Sequence, residues 1–220
     1  MGNWKLEGSR ASLYTDDPAR PVAEIALEHP EQGIRGLRAE SALLQLTQPA
    51  LAGQLRDTFI RGTDLVTDYT ASEAQPCEVR LYWHGTASHD ANQLDLSAVV
   101  RTPAWICEPT LSLQSELEGM HSVALPEGLL GPTTPSDVGA PLVAMSDGDQ
   151  PQLALMIFPS DLQSLEVQAG RIEVRLLGEP LEKGVIRTAR LRLLCGPTLA
   201  WPQIADAWEQ FLASPLPLTP

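Results

Sequence analysis

RGTDLVTDYTASEAQPCEVRLYWH, from Arg61 to His84, consists of two runs of alternating apolar and polar residues around a short polar connection. This pattern predicts a β-hairpin. Side chains in a strand point alternately to opposite faces of the sheet. The apolar side of the second run consists of Cys77, Val79, Leu81 and Trp83. Its polar side consists of Glu78, Arg80, Tyr82 and His84. We therefore expect one face of the hairpin to lie in a core and the other to form a charged surface.

The length and composition are those of an ordinary globular protein. The chain has 220 residues, of which 43% are hydrophobic and 20% are charged, so it can bury a sizeable core. Its 19 prolines and 16 glycines favour many turns between strands over long helices. We find neither an internal repeat nor a clear linker in the sequence. We predict an all-β protein, an antiparallel β-sandwich formed by a single domain over residues 1–220.

Similar alternating runs lie on both sides of the hairpin, which makes a meander or a Greek key the natural architecture. Leu94–Arg101 and Thr110–Leu117 follow the hairpin with clear alternation. Leu37–Thr47 mixes alternation with adjacent leucines, so a helix is possible there, but a strand is preferred. The other predicted strands are Lys5–Glu7, Ala11–Tyr14, Val22–His29, Gln54–Ile60, Leu142–Met145, Leu153–Phe158, Leu165–Gln168, Ile172–Leu177 and Val185–Leu194.

Two segments depart from the strand pattern. Residues 118–141 are rich in Gly and Pro and predict a long loop, with at most a short strand near Val123. A loop of this length is either a surface excursion or a binding loop. Residues 202–213 predict a C-terminal α-helix, with Pro202 in its first turn. The apolar face of this helix would consist of Ile204, Ala205, Trp208, Phe211 and Leu212.

The charge of the chain bears on its partners. The formal net charge is −13 and the pI is about 4.6. Because an acidic surface without a local Lys/Arg cluster repels phosphate groups, we expect no nucleic acid or membrane partner. The first residues, MGNWKLEGSR, have no apolar core of a signal peptide, and no run approaches the ~18 apolar residues of a membrane span. The expected location is the cytoplasm, and the oligomeric state stays open.

The sequence contains no local motif for a metal, a nucleophile or a bound phosphate. Cys77, Cys107 and Cys195 are widely spaced without a CxxC pair and are expected to be buried free thiols. The four histidines form no HxH, HxxxH or HExxH pattern. There is also no GxSxG elbow and no phosphate-binding glycine loop. We predict neither a metal nor a cofactor.

The charged face of the hairpin is the best candidate for a ligand site. Asp64 and His84 would lie side by side if the strands pair around the connection. A carboxylate next to an imidazole can tune a general base or orient a ring that binds sugar hydroxyls. The alternative is a surface histidine in a cross-strand polar pair. The predicted ligand-binding residues are Arg61, Asp64, Asp68, Arg80, Tyr82, His84 and Arg101.

Trp105 is a second residue of interest, because aromatic residues are scarce in this chain. It follows a proline and could lie at a strand edge, where an indole can stack on a sugar ring. Packing in the core is the preferred interpretation.

The order of elements between residues 10 and 195 resembles the galactose-mutarotase-like β-supersandwich superfamily. RGTDLVTDY…VRLYWH and LEKGVIRTARLRLL, residues 181–194, are similar to strands of that group. The resemblance implies a charged concave sheet on which histidines and a carboxylate act on a sugar. His84 suits such a role, but a second strand histidine is lacking, so no catalytic residue is carried over.

Three hypotheses of function remain. The first is a β-sandwich protein that binds carbohydrate through the polar face of the hairpin. The second is a sugar-modifying, mutarotase-like enzyme, with His84 as acid or base and a carboxylate such as Asp68 or Glu182 as its partner. The third is a protein-interaction module, in which the acidic surface, the 118–141 loop and the apolar helix contact a partner.

Overall fold

The computed structural model describes residues 2–14, 21–37, 42–47, 55–71, 76–87, 91–127, 129, 141–168 and 170–216. These residues form antiparallel strands and one C-terminal α-helix, which confirms the all-β sandwich class. The strands are β1 (Asn3–Glu7), β2 (Arg10–Tyr14), β3 (Pro21–Ala26), β4 (Ile34–Arg35), β5 (Gln45–Leu46), β6 (Leu55–Arg61), β7 (Asp64–Tyr69), β8 (Glu78–Ala87), β9 (Asn92–Arg101), β10 (Ile106–Cys107), β11 (Thr110–Glu116), β12 (His121–Val123), β13 (Leu142–Ser146), β14 (Leu153–Ile157), β15 (Leu162–Gln168), β16 (Arg171–Leu177), β17 (Leu181–Glu182) and β18 (Ile186–Cys195). The helix is α1 (Trp201–Ala213).

The strands form four sheets. The large sheet has eight strands in the order β12-β13-β14-β18-β9-β8-β7-β6, so β6 to β9 form a meander. A second sheet has the order β15-β16-β11-β5, a third has the order β1-β2-β3-β4, and β10 pairs with β17 alone.

The inner face of the large sheet is apolar because of the period of two in its strands. Leu65, Trp83, Leu96 and Leu191 are cross-strand neighbours on four successive strands, and each is at most 2% exposed. They belong to one apolar cluster that also contains Leu113 of β11 and residues of β1, β2 and β16. Burying each such side chain contributes about 1.5–3 kcal/mol.

The hairpin of β7 and β8 forms with the predicted pairing. Asp64 lies opposite His84, and Asp68 lies opposite Arg80. The hairpin is fastened to the segment after β3, since the Tyr69 hydroxyl donates a hydrogen bond to the Leu27 carbonyl at 2.8 Å. Burial raises the pKa of Tyr69 to about 12, so the phenol remains a donor at any physiological pH.

The helix α1 packs against the outer face of the large sheet. Pro202 lies in its first turn, as predicted. Its buried residues are Ile204, Ala207, Trp208 and Phe211. They meet a second apolar cluster on the sheet, formed by Leu142, Ala154, Met156 and Leu194. Leu212, which we predicted on the buried face, is exposed, and Ala207 takes part instead.

The predicted strand over 37–47 differs from the structure, while the short strand predicted near Val123 is present. In 37–47 the only strand among the described residues is Gln45–Leu46. Leu44 there has φ of 51°, a left-handed conformation that interrupts an extended run. In the loop at 118–141 the short strand is β12, His121–Val123. Residues 128 and 130–140 lie outside the described part of the chain, as does His89.

Candidate functional site

The outer face of the large sheet carries a row of charged side chains that crosses five adjacent strands. Arg61 lies opposite Asp64, which lies opposite His84. His84 in turn lies opposite Asp95, and Asp95 lies opposite Arg192 of β18. We call these five residues the charge row. At each end of the charge row, two residues of opposite charge are neighbours: Arg61 with Asp64, and Asp95 with Arg192. Neighbours across strands lie close enough for their side chains to interact.

His84 and Asp64 are in direct contact within the charge row. The Nδ1 atom of His84 is 2.9 Å from Oδ1 of Asp64 and 3.2 Å from the Thr63 hydroxyl. The two side chains are 40% and 27% exposed. A hydrogen bond at Nδ1 fixes the orientation of the ring, and Nε2 is then the nitrogen that can face a ligand. The predicted proximity of the pair is therefore found.

Asp95 and Arg192 form the other end of the charge row. Nε and Nη2 of Arg192 donate to the two carboxylate oxygens of Asp95 at 2.7 and 2.8 Å. Nη1 of the same side chain donates to the Ala207 carbonyl of α1 at 2.8 Å. This bidentate geometry is the strong form of an ion pair. Arg192 thus joins the charge row to the helix.

A groove lies between the charge row and the chain after α1. We call it the C-terminal groove; among the residues that line it are Asp64, Tyr82, His84, Asp95, Arg190 and Phe211. Its volume is about 330 Å³, within the range of small-molecule sites. Arg190 closes one side, since its Nη1 donates to the Ser214 carbonyl at 2.9 Å and its guanidinium lies 3.6 Å from the centre of the Phe158 ring.

A separate group of charges lies further along the hairpin. Asp68 accepts hydrogen bonds from Nε and Nη2 of Arg80 at 2.5 and 2.8 Å and from Arg56 at 3.4 Å. Arg101 donates to Glu78 at 2.5 Å. These residues line a cleft of about 60 Å³, which we call the hairpin cleft. It is far smaller than the C-terminal groove.

The pKa values in the hairpin cleft follow from these contacts. Burial raises the pKa of Asp68, but hydrogen bonds and charge from Arg80, and then from Arg56, outweigh burial and leave this pKa below its ordinary value. The Asp68 carboxylate in turn raises the pKa of Arg80. Both groups are therefore charged at neutral pH and neutralise each other. This geometry stabilises the hairpin, and because only 6% of the Asp68 side chain is exposed, it leaves few donors or acceptors for a ligand. The paired Asp95 of the charge row is 23% exposed and keeps room for a further hydrogen bond.

Tyr82 borders both the C-terminal groove and the hairpin cleft, but it is buried. Its ring is 3% exposed and packs with Val66, Val99 and Phe59 in a small apolar cluster on the outer face. The guanidinium of Arg61 lies 5.2 Å from the ring centre. The burial depends on Phe59 and Val99, which come from two other strands, so alternation within β8 could not reveal it.

The structure divides the predicted ligand-binding residues between two places. Asp64, Tyr82 and His84 line the C-terminal groove, with Arg61 at the end of the charge row. Asp68, Arg80 and Arg101 line the hairpin cleft, which Tyr82 also borders. The sequence-based prediction missed Asp95, Arg190, Arg192 and Phe211. The sequence did contain a signal for Asp95, Arg190 and Arg192, because each is a charged residue between apolar residues of a predicted strand.

Glu182 and Trp105 lie elsewhere. Glu182, one of the two carboxylates that we considered as partners of His84, is on β17 and pairs with Ile106. Asp68, the other, is bound to Arg80, and the carboxylate that contacts His84 is Asp64. Trp105 was expected in the core, but 86% of it is exposed. It directly precedes β10, whose first residue, Ile106, is also exposed.

The described residues contain no group of three or more His, Cys, Asp or Glu side chains that could hold a metal ion. Among these same residues, no helix combines the length and apolar character needed to cross a membrane.

Comparison with known proteins gives little. No protein-family model matches this chain, and no curated protein matches it. A solved structure described as a putative kojibiose phosphorylase from the human microbiome aligns with 68% of this chain, with a TM-score of 0.35 and 9% sequence identity. The match takes in 20% of that protein's chain. A match with this TM-score and identity carries no argument on the family or activity of this chain.

Proposed function

We propose that the protein binds a neutral carbohydrate, or a related polyol, in the C-terminal groove. The observation that carries this proposal is the row of Asp64, His84 and Asp95 along one wall of a groove of about 330 Å³. Carboxylates accept hydrogen bonds, an imidazole can donate or accept them, and a sugar hydroxyl both donates and accepts them. Cross-strand neighbours on one face lie about 5 Å apart, so adjacent members of the row can contact different hydroxyls of one ring.

The charge of the groove supports a neutral ligand. Asp64 and Asp95 supply negative charge, while Arg190 and Arg192 supply positive charge nearby. The whole chain carries −13, which disfavours approach of an anion. Pro215 and Leu216 give the groove an exposed apolar part, against which the CH groups of a sugar ring can pack.

The test is a glycan-array screen, followed by calorimetry with the sugar that binds. We expect Asp64→Asn and His84→Ala each to raise Kd about 10-fold or more, the effect of losing a hydrogen bond to a charged group. His121→Ala is the matched control, because His121 is an exposed histidine on β12 and Kd should not change.

Arg80→Ala separates the two places on the hairpin. Arg80 lines the hairpin cleft and not the C-terminal groove, so this variant should keep the sugar affinity. Absence of binding across the array, or wild-type affinity in His84→Ala, would refute the proposal.

A second candidate function is the interconversion of sugar anomers. The 2.9 Å contact between His84 and Asp64 favours it, since a carboxylate that orients an imidazole is a common arrangement for general acid–base catalysis. His84 would take a proton from the anomeric hydroxyl through Nε2 while water gives a proton to the ring oxygen, so that the bond between this oxygen and the anomeric carbon opens. Closure on the other face reverses both proton transfers. Polarimetry of freshly dissolved hexoses decides the matter: the wild type should speed the change in rotation and His84→Ala should not. Equal rates with both proteins remove the enzymatic candidate and leave sugar binding standing.

A further inference from the structure

Cys77 and Cys107 lie together in the interior, although 30 residues separate them. Cys77 directly precedes β8, and Cys107 is the last residue of β10. Their Sγ atoms are 2.7 Å apart, and the two residues are 1% and 8% exposed. A disulfide needs about 2.05 Å between the sulfurs. A shift of a few tenths of an ångström in each side chain would bring them to that distance.

We propose that Cys77 and Cys107 form a disulfide when a small-molecule disulfide such as oxidised glutathione is present as oxidant. Cys107, the more exposed thiol, loses its proton and attacks the oxidant, which forms a mixed disulfide and releases one thiolate. Cys77 then loses its proton and attacks the Cys107 sulfur, which releases the second thiolate. The two released groups take up the two protons, so two protein thiols are oxidised and one disulfide is reduced to two thiols.

The surroundings of Cys77 determine how fast the second step can be. Burial, and then the neighbouring Cys107, raise the pKa of the Cys77 thiol to about 12. Little thiolate exists at neutral pH, so the reaction depends on the two sulfurs being held together. The exchange should become faster as the pH rises.

The disulfide would reinforce an existing contact between residues 76–78 and 101–102, at one edge of the hairpin cleft. The Thr102 hydroxyl donates to the Pro76 carbonyl at 2.7 Å, one residue before Cys77. Arg101 and Glu78, immediately outside this link, form an ion pair. A disulfide would therefore tie β10, which directly follows Trp105, to the start of β8.

Cys195 supplies a matched control within the same chain. It is also buried, but it ends β18 opposite Asn92, at the other end of β9 from Arg101. It should keep its thiol under conditions that oxidise the other two cysteines.

The experiment compares the full chain after equilibration with oxidised glutathione and after reduction. Thiols are counted in denaturant, and the disulfide is located by peptide mass mapping without reduction. We expect three thiols in the reduced protein, one after oxidation, and a cross-linked pair of peptides that contain Cys77 and Cys107. Closing a loop of this length should raise the Tm by roughly 5–15 °C.

Variants assign the effect. Cys195→Ser should keep the cross-link and the rise in Tm, and Cys107→Ser should lose both. Three free thiols in the oxidised wild type would overturn the proposal. So would a lasting glutathione adduct on Cys107, or a disulfide that contains Cys195. These outcomes are measured on the wild-type chain, so the folding of a variant does not affect them.

Discussion

Asp64 and Asp68 lie four residues apart on the same face of β7, yet their surroundings give them different roles. Asp68 is almost fully buried and forms ion pairs with Arg80 and Arg56. Asp64 is more exposed, contacts His84 and faces the C-terminal groove. At the scale of single residues, the Asp68 carboxylate therefore serves the stability of the fold, while the Asp64 carboxylate can form hydrogen bonds with a ligand.

The pH dependence of stability follows from Asp68. Its folded-state pKa lies below the ordinary value of 3.8, so its contribution is fully present above about pH 4 and disappears as the pH falls through the folded pKa. Asp68→Asn should lower the free energy of unfolding by about 1–3 kcal/mol at pH 7. The difference from wild type should shrink as the pH is lowered toward 3.

Urea unfolding at several pH values measures this difference. Asp206→Asn serves as control, since Asp206 is exposed on α1 and should change stability little at any pH. A deficit of Asp68→Asn that stays constant between pH 7 and pH 3 would show that the ionised carboxylate is not what stabilises the hairpin.

At the scale of elements, β8 is positioned by what it packs against on both faces. Gly85 lies near its end, and a Cβ atom there would collide with the side chain of Leu13 on β2. Leu13 is fully buried and has little room to move. The missing side chain thus lets the sheet of β1 to β4 approach the strand that carries His84.

Gly85→Ala tests this close approach. We expect a loss of about 1–3 kcal/mol in the free energy of unfolding, because the core must shift to accept the extra methyl group. Gly148→Ala is the control, since a Cβ atom there meets nothing within 4 Å. The measurement is the urea midpoint at an unchanged m-value. Equal midpoints for wild type and Gly85→Ala would mean that the two sheets do not depend on this contact.

Elements also show how far the sequence could predict the site. Alternation within a strand predicted the pairing of Asp64 with His84, because both the face and the register follow from a period of two. It could not predict that α1 packs on part of the same outer face, or that the chain after α1 forms the far wall of the groove. That arrangement depends on Arg190 and Arg192, which bind carbonyl groups of a segment far along the chain. The exposure of Trp105 could not be predicted for the same reason, because it depends on which face of β10 packs on the core: Cys107 is buried, while Ile106 and Trp105 are exposed.

At the scale of the whole molecule, we propose that the chain is one domain. A single apolar cluster contains Trp4 of β1, Trp83 of β8, Val174 of β16 and Leu193 of β18. It therefore draws on the three larger sheets together. A core shared in this way should make them unfold together, because losing one sheet exposes the apolar face of the next.

The expected outcome is one cooperative transition in urea, with the same midpoint by far-UV circular dichroism and by tryptophan fluorescence. Trp4 and Trp83 report on the core and Trp208 on the packing of α1, since all three are buried. Two tryptophans lie on α1, Trp201 and Trp208, so the double variant Trp201→Phe/Trp208→Phe removes the signal of the helix, and its fluorescence midpoint should still coincide with that of its circular dichroism. Separate midpoints in the wild type that merge in this double variant would show that α1 leaves the sheet first. In that case the C-terminal groove, whose far wall is the chain after α1, would open before the sandwich unfolds. Sugar binding should then be lost at a lower urea concentration than the strand signal.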